Sequence, residues 1–222
     1  MVANRTRRQI AAEDTQRVIV EAAHALFLDR GYHAVSMAAV AVGAGVAVQT
    51  IYNSIGSKRD LLSRVLDFAA AGERAPTPVP VFMRDQAEHE PDPRLVIGQL
   101  VEFWRGALER TAPVFQVIRQ AAALDPEIAA LEQQRAEQRL HNYGIAASSL
   151  ADRGALREGL APEEAAAVMF TLGHPDQYRF LVKEQGWSAD RWARWVQSAL
   201  VAALLAPPYA DGDPREEPRR PD

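Results

Sequence analysis

Residues 36–55, SMAAVAVGAGVAVQTIYNSI, leave the chain little choice of local structure. Ser36 is a natural cap for a short helix over 37–43, because its hydroxyl accepts a bond from one of the first free backbone N–H groups. Ala41 is small enough to let a second helix cross closely over the first. Gly45, four residues on, sits where the chain must turn sharply, and glycine takes positive φ there without steric cost. Val46 and Ile51 are apolar anchors that hold a second helix, 47–53, on the first. A small residue, a turn glycine and apolar residues at these offsets are what a helix-turn-helix needs. The same pattern also suits a plain helical hairpin in a core, so the flanking residues decide.

Those flanks are helical throughout. Val18, Ile19, Ala22, Ala23, Leu26 and Phe27 recur at helical spacing, with Asp14 or Thr15 as the cap and Gly31 as the stop. Ser57 opens a fourth helix, with Asp60 three residues on, and Leu61, Leu62, Val65, Leu66 and Phe68 give it a buried side that fades near Gly72. Pro76, Pro78, Pro80, Pro91 and Pro93 forbid a helix through 74–93, which reads as a loop. Further helices are expected over 94–110, from Pro113 to about Asp125, over 127–152 up to Gly154, and from Pro162 towards Gly173. His174-Pro175 interrupts the last of these, and helix resumes through Lys183. Ser188 caps a final helix that runs to Ala206, where Pro207-Pro208 ends it. The alternation that marks strands is largely missing, so the fold class is all-α with about nine helices. The expected division is a flexible basic arm over 1–12, a first domain over 13–73, the loop, a second domain over 94–206, and a disordered tail over 207–222.

Composition narrows the function. With 48% hydrophobic residues a sizeable core is available, and with no cysteine neither a disulfide nor a thiolate metal site can form. The net charge of -4 is unevenly spread: residues 1–60 hold seven Lys or Arg against five Asp or Glu, while 61–222 hold 18 against 24. The small positive balance lies where a nucleic-acid partner would want it. No run of 18 apolar residues and no apolar signal segment appear, so the cytoplasm is the expected location. There is no Gly-rich phosphate loop and no H-E-x-x-H. Glu88-His89-Glu90 reads as a solvated turn, and Glu132, Glu137 and Asp152 as scattered surface charges, so neither an enzyme nor a cofactor is expected.

With its flanks, the helix-turn-helix stretch resembles the tetracycline-repressor (TetR) family of transcription regulators. The resemblance covers about residues 15–66: ALFLDRGYHAVSM, then VAVGAGVAVQTIY, then SKRDLL. Phe27, Gly31, Tyr32, Ala44, Gly45, Val46, Tyr52, Ser57, Lys58 and Leu61 carry it. It implies a three-helix DNA-binding domain followed by a larger helical domain for ligand binding and dimerisation. It also implies that Val48, Gln49, Thr50 and Asn53 face base edges, and that Tyr52, Lys58 and Ser36 touch phosphates of a double-stranded operator. Gln49 and Asn53 suit adenine and Val48 a thymine methyl. Arg5, Arg7 and Arg8 of the arm would add backbone or minor-groove contacts. The sequence departs from the family pattern in three places: Val48 stands where many members have Lys or Arg, Ile55 where an aromatic is common, and Gly43 lies inside the first short helix.

The second domain carries no shared motif. In the family, the space between such helices holds a small molecule, and Trp104, Phe115, Ile118, His141, Met169, His174 and Tyr178 are the candidates to line it. Each of these equally suits an ordinary core. AAAVMFTL (165–172) is apolar on every side and WARWVQSALVAALL (192–205) has a wide apolar stripe, which points to a homodimer through 162–183 and 188–206. The expected function is a repressor released from its operator by a small, largely apolar effector. The alternative is a helical small-molecule-binding or scaffold protein without DNA binding, which the modest positive charge and Val48 leave open.

Overall fold

Strong helix formers fill 7–13, and the first helix therefore starts earlier than its apolar spacing indicates. In the computed structural model, which describes residues 7–71, 90–207 and 209 (7, 8 and 10 by backbone alone), α1 spans Arg7–Ala34. Residues 7–12 are thus helical and not a mobile arm. Thr15 is not a cap but lies inside the helix, where its Oγ1 donates to the Ala11 carbonyl at 2.8 Å. The path breaks at Gly31, with φ 75° and ψ 165°, where the stop was expected. Then come α2 (Met37–Ala44), α3 (Val48–Ser54) and α4 (Lys58–Ala71). Ser57 and Asp60 cap α4 reciprocally: the Asp60 N–H donates to Ser57 Oγ, and the Ser57 N–H to the Asp60 carboxylate at 3.0 Å.

The two helices expected on either side of Pro113 are one helix, α5 (Pro93–Ala122). Leu108, Ala112 and Val114 around the proline are all buried, and this packing holds the helix together across the missing N–H. It is followed by α6 (Pro126–Asp152), α7 (Pro162–Leu172), α8 (Pro175–Tyr178, continuing as a π-helical turn Arg179–Glu184) and α9 (Ala189–Leu204). The fold is all-α. Among the described residues the only extended pairing is one antiparallel bridge, Leu156 with Leu205. No single described helix is long and apolar enough to cross a membrane.

The chain forms two compact units. The first is Met1–Arg74 with Arg110–Gln134. Its core joins Ile19, Ala23 and Phe27 of α1, Val40 and Ala41 of α2, Ile51 of α3, and Leu61, Leu62 and Val65 of α4. Val114, Val117, Ile118, Ile128 and Leu131 complete it, so residues 110–134, expected in the second domain, pack in the first unit. Each fully buried aliphatic or aromatic side chain contributes about 1.5–3 kcal/mol. The second unit is Ala75–Glu109 with Arg135–Asp222. Ile97, Leu100 and Trp104 of α5, Tyr143 and Ala147 of α6, Met169 of α7, and Trp192, Val196 and Leu200 of α9 form its buried side chains. Most of the expected loop 74–93, the tail and Arg5 lie outside the described residues.

Candidate nucleic-acid interface

The turn between α2 and α3 follows from the backbone bonds that close α2. Ser36 Oγ accepts from the Ala39 N–H at 3.1 Å and fixes the start of α2. At the far end, the Val46 N–H reaches back to the Ala41 carbonyl at 3.0 Å and the Gly45 N–H to Val42 at 3.2 Å. This pair of bonds requires a left-handed residue between helix and exit. Gly45 supplies it, with φ 68° and ψ 30°. The chain then turns by 98° into α3. Two contacts seat α3 on the unit. Ile51 is fully buried beneath it, and Gln16 Nε2 of α1 donates to the Ser54 carbonyl at 2.9 Å. Gln16 was not singled out in the sequence: its partner is 38 residues away, and no local pattern signals it.

With Ile51 inside, the opposite face of α3 is outside. Val48 is 37% exposed and Tyr52 49%; Gln49 and Asn53 are exposed, and Thr50 is half-buried. Gln49 Nε2 donates to Asn53 Oδ1 at 2.9 Å, which joins two amides one turn apart. Ser36 is exposed, with its oxygen engaged as the cap. Lys58 is half-buried, its Nζ 4.2 Å from the centre of the Tyr32 ring. Burial lowers its pKa, and burial raises that of Tyr32 to about 12. Arg7 and Arg8 belong to the first turn of α1. From Ser36 to Gly56 there is no charged side chain at all. Among the described residues no cluster of side chains suits a metal ion.

The second unit holds a chain of rings. Trp104 and Tyr143 meet edge to face at 5.2 Å, Tyr143 and Phe170 at 6.4 Å, and Phe170 and His174 at 5.4 Å. Burial raises the Tyr143 pKa to about 12. The His174 Nδ1 accepts from the Asp176 N–H at 3.2 Å and so caps α8. Met169 is fully buried, and Tyr178 packs on Trp192 with ring centres 5.0 Å apart. Trp104 lies so close to the Gly173 backbone that a Cβ there would stand 2.9 Å from the indole. Trp104 Nε1, Gln99 Oε1 and Gln177 Nε2 are buried polar atoms of this unit with no hydrogen-bond partner among the described residues. The remaining candidates sit apart from this group. Ile118 is in the core of the first unit, Phe115 packs against that core, and His141 is exposed.

Residues 19–65 match the family model of bacterial regulatory proteins, tetR family. These residues form a domain of the tetR type. In its tetR domain most of the matching residues are structural. Phe27 and Leu61 are core, Gly45 makes the turn, Ser57 caps α4, and Tyr32 packs against both Phe27 and Lys58. The solved structures of the same fold include SmeT bound to triclosan, which is 18% identical with a TM-score of 0.70, covering 94% of this chain and 100% of that one. A further SmeT structure, the repressor of the Stenotrophomonas maltophilia multidrug efflux pump SmeDEF, is 17% identical with a TM-score of 0.63, covering 87% and 92%. NalD, the secondary repressor of the MexAB-OprM multidrug efflux pump in Pseudomonas aeruginosa, is 20% identical with a TM-score of 0.67, covering 87% and 98%. No curated protein matches the sequence.

Proposed function

We propose that this protein is a tetR-family regulator: a dimeric, sequence-specific DNA-binding repressor that a small, largely apolar effector releases from its operator. The observation that carries the reading is the outer face of α3. Four side chains able to meet base edges, Val48, Gln49, Thr50 and Asn53, stand on a helix fixed from below by Ile51, at its entry by Gly45 and at its exit by Gln16. A helix held in this way suits the major groove. Ser36, Tyr52, Lys58 and the arginines at 5, 7 and 8 are the proposed phosphate contacts.

Support for an effector comes from the second unit. A ligand site is mostly apolar with a few polar groups that set orientation. Trp104 Nε1, within the ring chain, and Gln99 Oε1 and Gln177 Nε2 of the same unit are buried polar atoms in want of partners. Trp104, Met169, His174 and Tyr178 are the proposed lining. Phe115 and Ile118 serve the other core, and His141 faces outward. SmeT binds triclosan and NalD represses an efflux pump; the analogous roles are inferred here on the strength of the shared fold. The effector can shift operator affinity by no more than its differential affinity for the two forms.

Binding of the full chain to random duplex DNA, followed across a salt series, tests the DNA half. We expect log affinity to fall linearly with log salt, by about 0.9 per phosphate neutralised. A slope near zero would mean a helical binding or scaffold protein without DNA function. Triclosan added to the pre-formed complex tests the effector half, with release from the selected operator as the expected result.

A further inference from the structure

The chemistry exposed on α3 restricts which bases it can read. We propose that Gln49 and Asn53 act as one coupled amide unit that reads adenines, with Val48 and Thr50 packed on thymine methyls, so that the core of each half-site consists of A·T pairs. This rests on the DNA-binding reading above and gives the class of operator that goes with it.

Three observations carry it. The first is an absence in the sequence. Guanine is read in the major groove by Arg or Lys and cytosine by Asp or Glu. From Ser36 to Gly56 there is none of these, nor a histidine. The second is what stands there instead. Gln and Asn pair with the N6 and N7 edge of adenine, and apolar side chains or a Thr methyl pack on the thymine methyl. Gln49 and Asn53 are exposed, Val48 is 37% exposed, and Thr50 is half-buried between them. The nearest cation in sequence, Lys58, lies on α4 and not on α3, with its Nζ over the Tyr32 ring.

The third is the bond from Gln49 Nε2 to Asn53 Oδ1. It consumes one donor of the first amide and one acceptor site of the second. What remains is a carbonyl and an N–H on Gln49, and an N–H₂ and one oxygen lone pair on Asn53. Each amide therefore still presents the donor–acceptor couple that adenine requires. The bond also biases both amide planes before DNA arrives, which lowers the cost of ordering them on binding. Four residues rise about 6 Å along a helix, against about 3.4 Å between stacked bases, so the two amides address adjacent or next-but-one base pairs.

Selection of bound sequences from a random duplex library with the full chain is the deciding experiment. The expected result is paired half-sites whose central positions are A·T, with adenines one or two steps apart on one strand. Replacing those adenines by 7-deaza-adenine, which keeps the N6 amine and loses the N7 acceptor, should weaken binding about tenfold at each contacted base. Uracil in place of a contacted thymine should cost about fourfold. Because the amides act as a unit, Gln49→Ala plus Asn53→Ala together should cost clearly less than the product of the single losses. Both side chains are exposed, so neither change touches the core. Selected half-sites centred on G·C, indifference to 7-deaza-adenine, or fully multiplicative losses would each overturn the proposal while leaving DNA binding intact. Failure to retain any duplex at low salt would overturn the DNA-binding reading itself and this one with it.

Discussion

Two glycines of the reading motif, two positions apart, carry opposite demands. Gly45 sits at φ 68°, and any other L-residue there crowds its own carbonyl at about 1–2 kcal/mol. Gly43 is ordinary helix, and a Cβ added there would lie 3.5 Å from Ala22 Cβ and 3.8 Å from Leu26 Cδ1, which is normal contact. Gly45→Ala should therefore lower the unfolding free energy measured by urea titration by about 1–2 kcal/mol, whereas Gly43→Ala should raise it by about 0.5–1 kcal/mol. Equal signs for the two would show that the turn is not made as described. His24 sets a second residue-scale expectation. Its ring meets Phe68 edge to face at 5.8 Å, its Nε2 is buried with no hydrogen-bond partner among the described residues, and burial lowers its pKa below 6.5. A folded pKa below the unfolded one means that the unfolded chain binds the proton more readily as pH falls through 6.5. Stability is then intact above that value and declines below it, until the folded pKa is passed. Thermal melts between pH 7 and 5 should show this decline, and His24→Gln should reduce it; an unchanged slope in the variant would assign the effect to other groups.

At the scale of elements, α5 is the informative case. Pro113 removes the N–H that would bond to the Glu109 carbonyl, at a usual cost of about 3 kcal/mol, yet the helix runs on from Pro93 to Ala122. Pro113→Ala should restore that bond and raise stability by about 1–2 kcal/mol, part of the gain being offset because alanine is freer than proline in the unfolded chain. An unchanged or lower urea midpoint would mean that the ring itself packs usefully in that position. The same helix explains what could be seen in the sequence and what could not. Ser36, Gly45 and Ser57 were legible because each acts on backbone groups within five residues of itself, and side-chain chemistry decides such local contests. Ile51 and Leu61 were legible through spacing. The continuity of α5 and the start of α1 at Arg7 were not, because a proline or an apolar stripe states only a local preference, and distant packing partners decide whether it prevails. Gln16 and Ser54 show the same limit in the candidate site. Their bond exists only once α1 and α3 have been brought together, so no window of sequence contains it. The division of the ligand candidates has the same cause: Trp104 and Ile118 lie on one helix, but their side chains join the cores of different units.

For the whole molecule, the decisive question is the proposed pairing, since one such helix would cover only half of a two-fold operator. In the second unit α9 spends one face internally: Trp192, Val196, Leu200 and Leu204 are fully buried. Its other face still carries Trp195, 42% exposed and edge to face with Trp187 at 5.9 Å, and one and two turns further on the small residues Ser198 and Ala202, both exposed. Along α7, Ala167 and Thr171 are exposed in the same manner. An indole left half in water beside small side chains is apolar surface that a second copy would cover. Trp195→Glu should therefore halve the sedimenting mass to the 24.4 kDa of one chain while leaving the helical circular-dichroism signal unchanged. Operator affinity should fall with it, by about 10²–10⁴, because the second half-site contact is no longer intramolecular. Affinity for a lone half-site should not change, since α3 lies in the other unit. If the variant remains a dimer, the seam lies away from α9; if it is monomeric yet binds the full operator as tightly as before, the two-fold mode of DNA recognition is wrong.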